Sequence, residues 1–219
     1  MRLRHRIADL LFPPKCVLCG NLLEKSETDL CRRCRTEAPR YSFGKRSLQF
    51  LDSFAAVWYY EGCVRKSLLR FKFYGARGYA AAYGRLLAME LETQYPEGFD
   101  LLCWVPVSTL RKFQRGYDQG QLLAEAVGRE LGMKPVPLLK KTRNNRRQSG
   151  ISGAAERRAN VLGAYRVKNP EILRGRRVLL LDDILTTGAT AGECARMLLT
   201  AGAKEVHCAA VAATINHKK

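Results

Sequence analysis

Two adjacent carboxylates, Asp182 and Asp183, follow an apolar run, Val178 to Leu181, and shortly precede a small, hydroxyl-rich turn, Thr186-Thr187-Gly188-Ala189-Thr190. The run is opened by Arg174-Gly175-Arg176-Arg177, the pattern of a strand buried on both faces of a parallel sheet, with the two acids capping its end. From Ala191 onward, Ala191, Cys194, Ala195, Leu198 and Leu199 recur at helical spacing, so the unit reads strand, polar turn, helix. Small turn residues let the backbone approach an anion, successive N–H groups and the helix N-terminus supply positive potential, and the threonine hydroxyls add donors. Adjacent carboxylates accept hydrogen bonds from a vicinal diol or act on a bound Mg²⁺. A ribose carrying a 5-phosphate offers both partners. The plainer alternative, two solvated aspartates before an ordinary capped helix, accounts for an acidic pair but not for DD-x-x-TTGAT directly after LLL.

A second constellation stands near the start. Cys16-x-x-Cys19 and Cys31-x-x-Cys34 are separated by eleven residues, with Gly20 directly after the first pair. The i, i+3 spacing lets both thiolates of a pair turn onto one ion, as in a tetrahedral four-cysteine zinc ribbon. Two disulfides are the competing reading; the nucleotide-handling character of the rest of the chain, expected in a reducing cytoplasm, favours zinc. With all four positions filled by sulfur, the metal has a structural role. Cys63, Cys103, Cys194 and Cys208 sit singly in apolar surroundings and read as packing residues. His5, His207 and His217 have no partner at ligand or catalytic spacing.

The elements that must position these groups follow from patterning. Strands are expected over Phe54 to Tyr60, Leu101 to Val107, Val136 to Leu139, Leu162 to Val167 and Val206 to Ala213, with helices over Val64 to Phe73, Tyr79 to Leu91 and Tyr117 to Leu131. Alternation of this kind predicts an α/β fold with a doubly wound, mostly parallel sheet and ligands at the carboxyl ends of its strands. The expected division is 1–47, an N-terminal helix and zinc ribbon, and 48–219, the α/β domain. Residues 1–12 have a basic start and too brief an apolar run for a signal peptide, and read as a short helix. The segment from Val206 to Ile215 is too short to span a membrane. No GxxxxGK precedes the acidic strand end, which excludes a P-loop ATPase.

Two loops carry cations toward the same sheet edge. Ser108, Thr109, Arg111, Lys112 and Arg115 follow Val105-Pro106-Val107, and Lys140 to Val161 forms a long arginine-rich stretch that cannot pack a core. The stretch from Asp182 to Thr190 resembles the signature of type I phosphoribosyltransferases, which bind phosphoribosyl pyrophosphate (PRPP). The resemblance implies that Asp182 and Asp183 hold the ribose 2- and 3-hydroxyls, and that Thr186, Thr187, Gly188, Ala189 and Thr190 hold the 5-phosphate. It further implies that Ser108 and Thr109 contact pyrophosphate, which Arg111 and Arg115 neutralise, and that a loop carrying Arg143, Arg146 and Arg147 closes over the leaving group. Together with the zinc-knuckle start, VPVSTLRKFQRGYDQGQLLA and RQSGIS with RRANVLGAY, the chain resembles the ComF family, bacterial phosphoribosyltransferase-like proteins linked to DNA uptake in natural transformation.

Two function classes are carried forward. One is a cytoplasmic enzyme that binds PRPP with Mg²⁺ and transfers phosphoribose to a nitrogen acceptor. The other is a PRPP-responsive protein that binds single-stranded DNA or competence-machinery proteins without turnover. For the second, 38 Lys and Arg against 20 Asp and Glu give a net charge of +18, and Arg70 and Lys72 interleave with Phe71, Phe73 and Tyr74 as stacking platforms do. A helix with buried aromatics and exposed cations gives the same pattern.

Overall fold

The computed structural model describes residues 13–42, 48–143 and 154–214. The expected helix over the first dozen residues lies outside them. Its elements run α1 (Arg32–Glu37), β1 (Ser53–Tyr59), α2 (Gly62–Phe73), α3 (Tyr79–Gln94), β2 (Leu101–Trp104), α4 (Thr109–Arg115), α5 (Gln119–Glu130), β3 (Leu139–Lys141), α6 (Ala154–Val161), β4 (Tyr165–Val167), β5 (Arg177–Leu185), α7 (Ala189–Thr200) and β6 (Glu205–Ala213).

Strands β1, β6, β5 and β2 form, in that order, a four-stranded sheet in which every pairing is parallel. Both faces are covered, which is why β5 reads as unbroken Val-Leu-Leu-Leu rather than as alternation. Leu179, Leu181, Ala209 and Val211 face a core built with α2, α3, α5 and the cysteine-rich segment. Val178, Leu180, Cys208 and Ala210 face the other core, against α7 and the β3–β4 pair. Chain leaving β2 thus covers one face through α5, and chain leaving the adjacent β5 covers the other through α7. This is a topological switch point, where a crevice opens beyond the strand ends.

Several expected boundaries are corrected. Strand β5 does not stop at the acids: Asp182 and Ile184 remain registered opposite Ala210 and Ala212 of β6, so the carboxylates project from the ladder itself. The segment after β2 is not a loop, because Ser108 accepts a hydrogen bond from the Arg111 N–H (3.4 Å) and caps α4, which ends on Gly116 at φ 74°. The strand expected over Val136 to Leu139 is displaced: prolines 135 and 137 lack the ladder N–H, Val136 alone donates to Leu102 (2.8 Å), and β3 begins two residues beyond Pro137, antiparallel to β4. The second half of the long polar stretch is helix α6; residues 144–153 lie outside the described part.

Candidate functional site

At the carboxyl ends of β5 and β2 lies a cavity of about 610 Å³. Its floor is the acidic pair. Asp183 is buried and its Oδ1 stands 2.9 Å from Lys72 Nζ, carried there by the last turn of α2. Asp182 opens partly to the cavity and its Oδ1 accepts a hydrogen bond from the Asp183 N–H (2.8 Å). Burial, and then the neighbouring Asp183 charge, push the Asp182 carboxyl up to about 8, against the pull of Lys72.

One wall is the start of α7, where Thr186, Gly188, Ala189 and Thr190 line the cavity. Gly188 has φ 76°, and a Cβ there would meet Leu48 Cδ2 at 2.7 Å, so both conformation and packing demand glycine. Its turn aims the helix N-terminus at the acids. The opposite wall carries cations: Arg111 and Arg115 from α4 and Lys141 from β3. Lys141 Nζ lies 5.2 Å from the Tyr165 ring centre, and burial, with Arg111 as the next cause, lowers its pKa. Arg115 donates to Gln119 Oε1 (2.9 Å) and covers the Phe73 ring. An anionic ligand entering here meets cations and a helix N-terminus on the walls, and hydrogen-bond acceptors on the floor.

The structure brings together Asp182, Asp183, Thr186, Gly188, Ala189, Thr190, Arg111 and Arg115 around this cavity. It does not bring Ser108, Thr109 or Thr187 to its lining: Ser108 is spent as the α4 cap, and Thr187 Oγ1 accepts from the Ala189 N–H (3.3 Å), shaping the turn instead. Arg143 is exposed, with its guanidinium against Gly163 and outside the lining; Arg146 and Arg147 lie outside the described residues. Arg70 and Lys72, expected to face DNA, are both engaged within the chain, Arg70 with the Leu18 carbonyl (2.5 Å) and Lys72 with Asp183. Sequence reasoning missed Lys72, Lys141 and Gln119 as cavity residues. The helical pattern of α2 offered one signal for Lys72, since it follows the buried Phe71 at the helix end nearest the strand tips.

The four cysteines Cys16, Cys19, Cys31 and Cys34 place their Sγ atoms within 4.8 Å of one another, and Cys19 and Cys31 Sγ are 3.7 Å apart. A tetrahedral zinc with Zn–S near 2.3 Å requires edges of about 3.8 Å, so the four thiols are gathered closely enough to hold the ion with small side-chain adjustments. Cys103, Cys194 and Cys208 are buried in the second core, and Cys63 is half-buried against the first. Among the described residues no helix is long and apolar enough to cross a membrane.

Comparison with known proteins agrees with this geometry. Residues 118–219 match the phosphoribosyl transferase domain family, and residues 7–43 match the double zinc ribbon domain. The chain is 30% identical over 187 residues to the competence protein ComFC of Bacillus subtilis, which covers 85% of this chain and 72% of that one. It is 31% identical over 197 residues to the DNA utilization protein YhgH of Escherichia coli, over 87% and 80% of the two. Among solved structures, the glutamine PRPP amidotransferase from B. subtilis aligns with 64% of this chain at 21% identity and a TM-score of 0.44; only 30% of that structure's length is covered. With a zinc ribbon match ahead of a phosphoribosyl transferase match, and identity of 30% or more over most of both chains, the protein belongs to the ComF family.

Proposed function

We propose that the chain binds PRPP as its Mg²⁺ complex and transfers phosphoribose to a nitrogen acceptor. One observation carries this reading: the acidic pair and the α7 N-terminus face one cavity whose remaining charged lining, Arg111, Arg115, Lys141 and Lys72, is cationic. In this reading Asp182 and Asp183 accept hydrogen bonds from the ribose hydroxyls, and the Thr186–Thr190 turn holds the 5-phosphate through backbone N–H groups and hydroxyls. Arg111, Arg115 and Lys141 meet the pyrophosphate. Transfer breaks the bond from C1 of the ribose to the pyrophosphate oxygen and forms a bond to nitrogen, through an oxocarbenium-like state. The cations serve most where charge develops on the leaving group, in a site partly closed to water. Ser108 contributes by fixing α4, and so Arg111 and Arg115, rather than by direct contact.

The relatives named for competence and DNA utilization support a role for this chain in DNA uptake; that it acts in the cytoplasm is our own proposal. A second reading, PRPP-responsive binding of single-stranded DNA without turnover, draws on the exposed rings of Phe73, Tyr74 and Phe113 on the helices that line the cavity. The test is calorimetry with PRPP and Mg²⁺ on the wild type and on the double variant Asp182→Asn, Asp183→Asn, followed by an assay for pyrophosphate release with a pool of nitrogenous metabolites. Binding lost in the variant and acceptor-dependent pyrophosphate release support the enzyme. Binding without release under any acceptor favours the second reading, binding unchanged in the variant removes the role assigned to Asp182 and Asp183, and no binding by the wild type removes both readings.

A further inference from the structure

Helix α2 touches the zinc knuckle at its middle and the acidic pair at its end. Ser67 Oγ donates to the carbonyl of Val17, and Arg70 Nη2 donates to the carbonyl of Leu18 (2.5 Å). Val17 and Leu18 are the two residues between Cys16 and Cys19, and both are buried. Their carbonyl directions are set by the same tight turn that presents the two thiolates, where the Gly20 N–H closes back on the Cys16 carbonyl (2.9 Å). Lys72 lies five residues after Ser67, about 7.5 Å along the helix axis. Its ammonium pairs with Asp183 at 2.9 Å.

The intervening turn is held from both sides. Tyr117 Oη donates to the Phe71 carbonyl, and Gln119 Nε2 donates to the Lys72 carbonyl (3.2 Å). Phe71 is fully buried between Tyr83 and Tyr117. Tyr83 Oη in turn bonds Ser67 Oγ (2.6 Å). Among the described residues, Arg70 Nε is buried with no hydrogen-bond partner. A half-buried guanidinium with that unmet donor is costly unless its contact with the knuckle carbonyl is worth keeping. Packed elements of this kind shift between discrete arrangements rather than deforming freely.

We propose that α2 couples the zinc knuckle to the PRPP site: Ser67 and Arg70 read the backbone of Val17 and Leu18, and so position Lys72 against Asp183. Lys72 and Arg70 are positioning residues in this account. An ordered knuckle keeps Lys72 on Asp183, which leaves the adjacent acids able to receive a diol; a collapsed knuckle releases Lys72 and leaves Asp183 without its cationic partner beside Asp182. The inference rests on the reading of the cavity as a PRPP site.

Coupling between two binding sites is reciprocal, and that supplies the experiment. The rate and midpoint of zinc release to a chromogenic chelator are measured on the full chain with and without PRPP and Mg²⁺. The same is done for Arg70→Met, Arg70→Lys and Lys72→Met. In the wild type PRPP should hold zinc about 5- to 50-fold more firmly, within the usual range of coupling factors. Arg70→Met should keep its full zinc content and thermal transition, yet bind PRPP about tenfold more weakly and lose the effect of PRPP on zinc release. Arg70→Lys, which can still donate to the Leu18 carbonyl, should recover most of both. Lys72→Met should also lose the coupling while its ribbon stays intact. Should Arg70→Met prove unstable, Lys72→Met with the release assay decides alone. If wild-type protein binds PRPP in an Asp183-dependent way while zinc release is indifferent to it, the coupling is overturned and the PRPP reading stands. If the wild type does not bind PRPP at all, the PRPP reading fails first.

Discussion

The Asp182 carboxyl is stable only at a cost to the fold. Its pKa stands at about 8 against an ordinary value near 3.8, because the cavity floor and Asp183 disfavour its charge. A carboxyl whose folded pKa is raised binds more protons in the native than in the unfolded state between those two values, so stability falls as pH rises from about 4 to about 8. Asp182→Asn removes that loss. The variant should match the wild type near pH 4 and melt higher at pH 8, by about 1 to 3 kcal/mol once solvent access to the cavity is allowed for, or several degrees. Equal melting curves at both pH values would contradict the shift. PRPP should feel the opposite pressure: a diol is held best by two ionised acceptors, so its affinity should rise between about pH 6 and about pH 9. In the double asparagine variant that rise should vanish along with most of the affinity, since each charge-assisted hydrogen bond contributes about 1.5 to 3 kcal/mol. Titration calorimetry at three pH values reads both effects.

Among the elements, the ribbon is the one least able to stand alone. It offers Val17, Leu18, Leu30 and Ala38 as apolar mass, and these pack not on one another alone but into the first core with Trp58, Val64, Leu68 and Phe71. A second clamp, the Arg85 guanidinium on the Asp29 carboxylate (2.8 and 2.5 Å), fixes the far side to α3. Zinc binding to such a site is worth about 10 kcal/mol near neutral pH, and this should appear as stability of the whole first core. Purified protein should carry one zinc per chain by elemental analysis, and a chelator, or Cys31→Ser, should lower the melting temperature of the α/β fold as well as unfold the ribbon. A zinc-free preparation with an unchanged melting curve would rule this out. The ribbon and the strand, turn and helix around Asp182 were legible in the sequence because each is local: two CxxC pairs, or one apolar run followed by one glycine turn. What escaped was set by contacts far apart in the chain. Lys72 reaches Asp183 from a helix remote in sequence, and nothing in its neighbourhood distinguishes it from a surface lysine. Lys141 escaped for the same reason, and α4 because a seven-residue helix rich in Arg and Lys carries no apolar stripe; its cap at Ser108 and stop at Gly116 were its only signals.

The charge of the whole molecule, +18, is far more than the four cationic side chains lining the cavity account for. Of the two helices that send Phe73, Arg111 and Arg115 to the cavity, α4 leaves Phe113 86% exposed and Leu110 52% exposed, and the end of α2 leaves Tyr74 78% and Phe73 59% exposed. Arg115 lies over the Phe73 ring at 4.9 Å, so a cation stands beside the exposed rings of this surface. Such a surface suits unpaired bases, which stack on rings while phosphates follow the cations. With Arg70 and Lys72 engaged inside the chain, the side chains to change are Lys112 and Phe113, which are exposed on α4. Binding to an oligothymidylate should weaken steeply with salt, log K falling against log salt by about 0.7 for each phosphate neutralised. Lys112→Glu should make that slope shallower. Phe113→Ala should leave the slope unchanged and cost about 1 to 3 kcal/mol for the stacked base. Fluorescence anisotropy at four salt concentrations separates the two contributions. A Phe113→Ala variant that binds as tightly as wild type would mean that the surface acts through charge alone, and a wild type that binds duplex as tightly as single strands would show that the exposed rings play no part in recognition.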